Sequence, residues 1–225
     1  DALSYFSLDP IAPEKVRSIE LGYRGVLLDN LYLDMNYYFN SYTNFIGYIT
    51  GAETQFIQTG LVINDVYRIA TNSKETITTQ GATIGLNYYL GDHYAINGNY
   101  SWNVLNKESS DPIIPSYNTP EHKFNIGFRG RDFSIKRMKG FGFNVNYKWI
   151  KGFVYEGSPQ FTGSVPSYGL LDAQINKKIE KANLTVKLGA SNLFNNKVLQ
   201  VYGGPFIGRM IYTSLSFNWK DKRAK

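Results

Sequence analysis

Apolar and polar side chains alternate one by one along most of this chain, and this pattern constrains its fold more than any other feature. Between Phe141 and Trp149 the odd positions are aromatic or aliphatic, whereas the even positions are Gly, Asn or Lys. Successive side chains of a β-strand point to opposite faces, so such a segment has one apolar and one polar face. No stretch keeps an apolar repeat of helical period over three turns. The sequence therefore predicts an all-β fold.

The alternation recurs in nine segments, each long enough for a strand. The third is expected to begin well before residue 80, near Val66. The predicted strands are 16–25, 31–42, 80–90, 94–104, 122–129, 141–149, 168–177, 184–191 and 207–219.

The connections between these strands alternate in length. Short turns are expected near 29–30, 91–92 and 180–183, with a polar connection of middle length at 131–139. Long loops are expected at 50–65, 107–120, 156–166 and 194–206. This rhythm predicts an antiparallel up-and-down meander. It forms one unit over 1–225, with the last strand ending at 219 and a basic tail at 220–225.

The alternation alone leaves open which face meets water. A soluble barrel that binds a small apolar ligand would turn its apolar face inward, whereas a membrane barrel turns it outward. The polar faces here are rich in Asn, Gly, Ser and Thr, and poor in the Lys and Glu of soluble surfaces. The apolar faces often end in an aromatic residue, as at Tyr94, Trp102, Trp149 and Trp219. Such residues prefer the bilayer interface, so the sequence favours a transmembrane barrel.

Composition and the absence of known motifs argue against several other classes of protein. The chain has no Cys and two His, so it offers no thiolate site and too few imidazoles for a His-based metal cage. No phosphate-binding loop, nucleophile elbow or zinc-protease motif occurs, and the acidic residues never fall into a calcium-loop spacing. We therefore expect neither an enzyme nor a resident metal or cofactor.

A count of nine strands does not fit a complete bacterial membrane barrel, because single-chain barrels have an even number of strands. An open sheet edge in hydrocarbon leaves backbone groups unpaired, at a cost of several kcal/mol each. The first and ninth strands therefore need partners that the sequence does not contain, and the chain is expected to be part of a larger barrel.

Four segments together resemble the C-terminal half of TonB-dependent outer-membrane transporters. They are 13–25, the Gly-led strand at 80–90, the Asn-Leu-Phe-Asn-Asn-Lys element at 192–197, and the final strand that follows Gly208. The richness in Tyr and Asn is similar to members from Bacteroidetes. The chain departs from the family pattern where Ala82 and its two successors replace an expected acidic residue, and where the basic tail follows Trp219.

The resemblance implies a 22-stranded barrel with a plugged lumen, to which this chain contributes about the last nine strands without the plug domain. It implies the bacterial outer membrane and energised uptake of a scarce, large solute such as siderophore-iron, cobalamin, haem, a peptide or a glycan. The implied partners are the rest of the barrel and its plug, the TonB protein, outer-membrane lipid and, as a further option, a lipoprotein. A passive porin-like or structural barrel remains an alternative.

Two sets of side chains are candidates for function. Aromatic and amide groups at the outer ends of the strands would suit ligand recognition by stacking and hydrogen bonding, although they would equally suit loop packing or an interfacial girdle. These are Tyr42, Asn44, Tyr48, Tyr67 and Tyr202. Charged residues on the polar faces would contact a plug or an anionic substrate, or more simply pair with one another in a hydrated lumen. These are Glu20, Arg24, Asp34, Lys123, Arg129, Lys148, Asp172 and Lys187.

The net charge of +6 is concentrated in two short segments, 129–139 and 220–225. The predicted topology puts both at the rim that carries the short turns. A nucleic-acid footprint needs basic residues spread along a groove or face. We therefore expect no nucleic-acid partner, and a basic rim near lipid headgroups or a periplasmic partner.

Overall fold

A computed structural model describes residues 9–106, 113, 117–157 and 161–219. Fifteen strands are found there, together with one 3₁₀ turn at Glu180–Ala182. In chain order the strands are β1 Lys15–Leu27, β2 Leu31–Thr43, β3 Ile46–Ile57, β4 Gly60–Asn72, β5 Ile77–Leu90, β6 Tyr94–Asn106, β7 His122–Ile135, β8 Met138–Ile150, β9 Phe153–Tyr155, β10 Gly163–Val165, β11 Tyr168–Ile179, β12 Leu184–Ser191, β13 Val198–Leu199, β14 Phe206–Ile207 and β15 Met210–Phe217. In these ranges, no helix has the length and hydrophobicity needed to cross a bilayer.

One antiparallel sheet of nine strands forms the body of the protein, in the order β1-β2-β5-β6-β7-β8-β11-β12-β15. These are the nine strands that the alternation predicts, so the meander is confirmed. β1 and β15 lie at opposite edges of the sheet and do not pair with each other. The sheet is thus an open portion of a larger barrel.

Three smaller hairpins continue the large sheet at the long-loop rim: β3 with β4, β9 with β10, and β13 with β14. The first of them corrects the sequence-based expectation. Residues 50–65 were expected to be a connection, but they belong to strands that pair from Ile46↔Asn72 to Ile57↔Gly60. The expected start of the third predicted strand near Val66 is also wrong, since Val66 lies in β4 and β5 begins at Ile77.

The short connections all lie at the opposite rim. The expected middle-length connection at 131–139 is wrong, because β7 and β8 extend until only Lys136 and Arg137 separate them. Register shifts between Gly130 and Ile135 interrupt the alternation there, which explains why the sequence does not reveal the strand ends. Lys136 adopts a positive φ of 54°, as the tight turn requires.

One face of the sheet is apolar and accessible. Leu21, Ile175 and Leu215 are 73%, 61% and 68% exposed, although each belongs to the apolar side of its strand. An accessible apolar face of this size suits a lipid environment.

Two aromatic belts border this apolar face. At the long-loop rim, the ring centroids of Phe124 and Trp149 are 5.7 Å apart. At the short-turn rim, those of Phe128 and Phe143 are 5.2 Å apart, and Tyr94 stacks on Phe128 at 5.9 Å. Aromatic girdles on both sides of an apolar band are typical of membrane barrels, in which the long loops are extracellular and the short turns periplasmic. The long-loop rim is therefore called the outer rim, and the short-turn rim the inner rim.

Candidate functional site

The polar face of the large sheet, which would line the lumen, carries a groove of about 680 Å³. The cross-strand register builds it, because residues paired across antiparallel strands share a face. One row of partners runs from Asp34 through Gly85, Asn99 and Asn125 to Lys148. The polar residues that line the groove are Asp34, Thr83, Asn87, Asn97, Asn99, Ser101, Lys123, Asn125 and Lys148.

Asparagine amides form much of the groove wall. Asn125 donates a hydrogen bond from Nδ2 to Oδ1 of Asn99 over 2.7 Å. Gly127 lies between Asn97 and Asn146, and a Cβ there would come within 2.8 Å of Oδ1 of Asn97 and 3.1 Å of Oδ1 of Asn146. Carboxamides both donate and accept hydrogen bonds, so this wall suits a polar solute or a polar protein surface.

The charged residues predicted to line the lumen differ in the contacts that they make. Arg24 and Asp34 form an ion pair at 2.7 Å, as the simpler interpretation expects. The Asp172 carboxylate accepts a hydrogen bond from the backbone N–H of Asn192 over 2.8 Å. Lys123 and Lys148 line the groove, and no acidic side chain among the described residues forms an ion pair with either. Within the described ranges, Arg129 and Lys187 likewise form no ion pair with an acidic side chain, and Glu20 forms none with a basic side chain.

The structure brings four of the five candidate ligand-binding residues to the base and stem of the β3–β4 hairpin. Tyr42 packs edge-on against Phe45, with ring centroids 5.8 Å apart. Asn44 adopts a φ of 54° where the chain leaves β2. The guanidinium of Arg68 lies 4.0 Å above the Tyr48 ring.

Further along the same hairpin, Tyr67 donates a hydrogen bond to the Glu53 carboxylate over 3.1 Å, and this bond raises the pKa of Tyr67. Tyr48 and Tyr67 still expose 46% and 50% of their surface. Their rings are thus positioned by neighbours and remain accessible.

Tyr202, the fifth candidate, belongs to a different contact. Its ring covers Gly163 so closely that a Cβ on that glycine would come within 2.3 Å of it. In return, the Phe161 ring covers Gly203, which adopts a φ of 78°. The two outer loops therefore interlock, each placing an aromatic ring on a glycine of the other.

A charged cluster at the start of β7 was not singled out from the sequence. Glu121 pairs with Lys151 and lies 3.3 Å from Nε2 of His122. The hydrogen bond from Lys151 holds the pKa of Glu121 below its ordinary value. His122 in turn contacts the Tyr100 hydroxyl through Nδ1 at 2.7 Å. These residues come from three separate strands or loops, so no local motif could reveal the cluster.

A second group missed from the sequence lies where the lumen meets the outer loops. The Tyr38 hydroxyl donates to Oδ1 of Asn103 over 2.9 Å and lies 3.4 Å from the Tyr117 hydroxyl. Burial and this contact raise the pKa of Tyr117 above its ordinary value. The group joins β2, β6 and an outer loop.

The Asn-Leu-Phe-Asn-Asn-Lys element has a structural role that its residues explain. Asn192 is 4% exposed, with a φ of 52°. Its Oδ1 accepts from the N–H of Asn196 over 2.9 Å, and its Nδ2 donates to the Asn196 carbonyl over 2.7 Å. Asn195 accepts from the N–H of Arg209 over 2.9 Å. The element thus ties the outer ends of β12 and β15 together.

The apolar outward face, the two aromatic belts and the polar inner face define the class as part of a transmembrane antiparallel β-barrel. Residues 3–193 match the family described as "TonB dependent receptor-like, beta-barrel". The chain belongs to this family. A comparison with curated proteins gives no match.

Several solved structures share the fold. The copper transporter OprC gives a TM-score of 0.68 at 15% identity, covering 93% of this chain and 32% of that one. The FrpB iron transporter from Neisseria meningitidis gives 0.65 at 14% identity, with the same two coverages. The siderophore receptor PirA from Acinetobacter baumannii gives 0.62 at 18% identity, covering 91% of this chain and 32% of that one. The chain thus spans about a third of the length of these structures.

Proposed function

We propose that this chain is part of a bacterial outer-membrane receptor that takes up a scarce, large solute with energy supplied through TonB. The family match over residues 3–193 is the observation that carries this proposal. The names of three structural neighbours specify transport of iron or copper, or siderophore reception, which favours a metal-containing cargo among the solutes considered. The proposed function in uptake is non-enzymatic.

The groove supports the lumen side of the proposal. Lys123 and Lys148 add two positive charges to a wall of carboxamides. A wall with this chemistry can hold a plug through many exchangeable hydrogen bonds, and those bonds can be broken and remade when the plug moves. Energised uptake requires such a reversible contact, whereas a permanent plug would need a dry, apolar one.

Ligand capture is assigned to the outer rim. Tyr48 and Tyr67 expose their rings on the β3–β4 hairpin, and Tyr202 lies on the interlocked loops. Tyr42 and Asn44 position the base of the hairpin. Exposed tyrosines held by a neighbouring charge or glycine present area for stacking at a low entropic cost.

The experiment compares cells that express the full-length protein, with and without a functional TonB, in uptake of radiolabelled ferric siderophores, haem and cobalamin. We expect uptake of one of these to need both the protein and TonB. The substitutions Tyr48→Ala and Tyr67→Ala should then weaken its binding. Phe194→Ala provides a matched control, because Phe194 is an outer-loop aromatic that is 71% exposed and outside the candidate set. Uptake that continues without TonB would refute energised transport.

The alternative of a passive barrel makes a different prediction. A porin-like protein would conduct ions when the full-length barrel is inserted into a planar bilayer. A plugged receptor would leave the bilayer closed. Steady conductance, together with TonB-independent uptake, would therefore favour the passive alternative.

A further inference from the structure

A lysine on the apolar face marks a second surface of interest. Lys177 pairs with Phe141 on β8 and with Val186 on β12. Both partners belong to the apolar side of their strands, so Lys177 shares the face that meets lipid. A cation on the lipid-facing side is costly near the bilayer centre and tolerated near the interface.

The position of the Lys177 ammonium shows where this residue functions. The Nζ atom lies 4.2 Å from the centre of the Phe141 ring and donates a hydrogen bond to the backbone carbonyl of Lys139. The alkyl stem thus crosses the aromatic belt, while the charged end reaches the level of the β7–β8 turn. The residue spans the boundary between acyl chains and headgroups.

Further basic residues surround this ammonium at the same rim. Lys136 and Arg137 form the β7–β8 turn, and Lys139 follows at the start of β8. All three are exposed. Among the described residues, no acidic side chain forms an ion pair with these three or with Lys177. Two acidic residues lie close to them in sequence: Asp132, four residues before Lys136, and Glu180, three residues after Lys177. Glu180 pairs with the neighbouring Lys178, at 3.8 Å.

An apolar floor lies beside these charges. Ile135 and Met138 are paired across the hairpin and are 45% and 55% exposed. Phe133 and Phe141 continue the floor toward the bilayer, with ring centroids 6.1 Å apart. Four cations that form no ion pair within the described part of the chain therefore border an accessible apolar surface, at the depth where a bilayer changes from hydrocarbon to phosphate.

We propose that this surface binds the headgroup of an anionic phospholipid of the periplasmic leaflet. The basic residues Lys136, Arg137, Lys139 and Lys177 hold the phosphate, and the acyl chains lie against Ile135, Met138 and Phe141. Charge complementarity selects an anion, and the adjoining apolar floor selects an amphiphile over a soluble anion. The inference depends on the membrane placement of the barrel and is independent of the transported solute.

The test uses the full-length protein in detergent, titrated with phosphatidylglycerol or phosphatidylethanolamine of identical acyl chains and followed by native mass spectrometry. We expect the native protein to prefer phosphatidylglycerol, and added salt to reduce that preference. Each basic residue near a membrane surface strengthens binding roughly fivefold. Lys139→Gln with Lys177→Gln should therefore weaken phosphatidylglycerol binding by about 25-fold and change phosphatidylethanolamine binding little.

The matched control is Lys15→Gln with Lys197→Gln, which removes two exposed charges at the outer rim. Equal binding of the two lipids by the native protein would overturn the proposal without any variant. An equal loss in the test and control variants would overturn it too. If phosphatidylglycerol binding survived the test variant while a periplasmic protein no longer co-purified, the surface would be a protein-docking site and the lipid proposal would be wrong. None of these outcomes changes the uptake measurement, so the two proposals fail independently.

Discussion

Asn192 offers a direct measure of what holds the outer end of the last strands together. The side chain is almost fully buried and makes hydrogen bonds of 2.9 and 2.7 Å to the backbone of Asn196. Its backbone has a φ of 52°, a conformation that Asn and Gly accept more readily than other residues. Substitution therefore acts through two separable effects, lost hydrogen bonds and backbone strain.

The pair Asn192→Gly and Asn192→Ala separates these effects. Both substitutions remove the two hydrogen bonds to Asn196, which contribute about 1 kcal/mol each. Alanine alone adds the left-handed strain, at about 1 kcal/mol or more. We expect a loss of about 2 kcal/mol in unfolding free energy for Asn192→Gly and about 3 kcal/mol for Asn192→Ala.

The measurement is equilibrium unfolding of the full-length barrel in lipid vesicles with urea, followed by tryptophan fluorescence. Equal losses in the two variants would show that the positive φ is not strained. Losses below about 0.5 kcal/mol in both would show that the element does not anchor the strands.

Three further predictions use neighbouring or paired positions. Ile126→Arg should destabilise the membrane-inserted barrel by about 2–4 kcal/mol, whereas Asn125→Arg on the opposite face should cost far less; equal losses in vesicle unfolding would contradict the assignment of faces. Gly81→Ala should cost about 1–3 kcal/mol of unfolding free energy, because the added Cβ would come within 2.6 Å of the Trp102 carbonyl oxygen. Gly85→Ala should be nearly neutral, since the atom nearest to its added Cβ would lie 3.8 Å away. Similar unfolding curves for the two variants would refute this reasoning. The hydrogen bond from Lys151 lowers the pKa of Glu121, so the ionised carboxylate stabilises the fold at pH values above its ordinary pKa of 4.5. This contribution is lost as the pH falls through the lower pKa of the folded state. The stability of Glu121→Gln should therefore decline less at acidic pH, as measured by unfolding between pH 5 and pH 3.

The sequence predicted the nine spanning strands because each one separates lipid from a wet lumen, and that separation requires alternation. The β3–β4 hairpin is not subject to this requirement. It extends beyond the sheet, so both of its faces meet water, and a register shift at Glu53 further disturbs the pattern. The sequence therefore predicted a loop at 50–65, within this hairpin.

The candidate site was predictable only in part, for a similar reason. Tyr48 and Tyr67 could be placed at the outer rim from strand order alone. The contacts that position them, with Arg68 and Glu53, depend on hairpin register. The pairing of Tyr202 with Gly163 joins two loops that are far apart in sequence, and no local pattern encodes such a contact.

The inner-rim surface shows the same division. The basic segment at 129–139 was visible in the sequence, and the topology gave its rim. Lys177 lies at the end of the predicted strand 168–177 and was not singled out from the sequence. Its approach to Phe141 follows from the β8–β11 register, which the sequence does not specify.

The two free edges of the nine-stranded sheet also bear on the order in which the barrel forms. Apart from the outer hairpins, each strand of the sheet pairs with the next along the chain, so these contacts close short loops. β1 and β15 must pair with strands elsewhere in the larger barrel. In an up-and-down barrel, the pair that closes the ring joins the first strand to the last, over a much longer separation. Because closure of longer loops costs more entropy and slows folding, closure of the ring is expected to be the slow step. Until it occurs, both edges present unpaired backbone, and the half-built sheet is most exposed to mispairing with other chains.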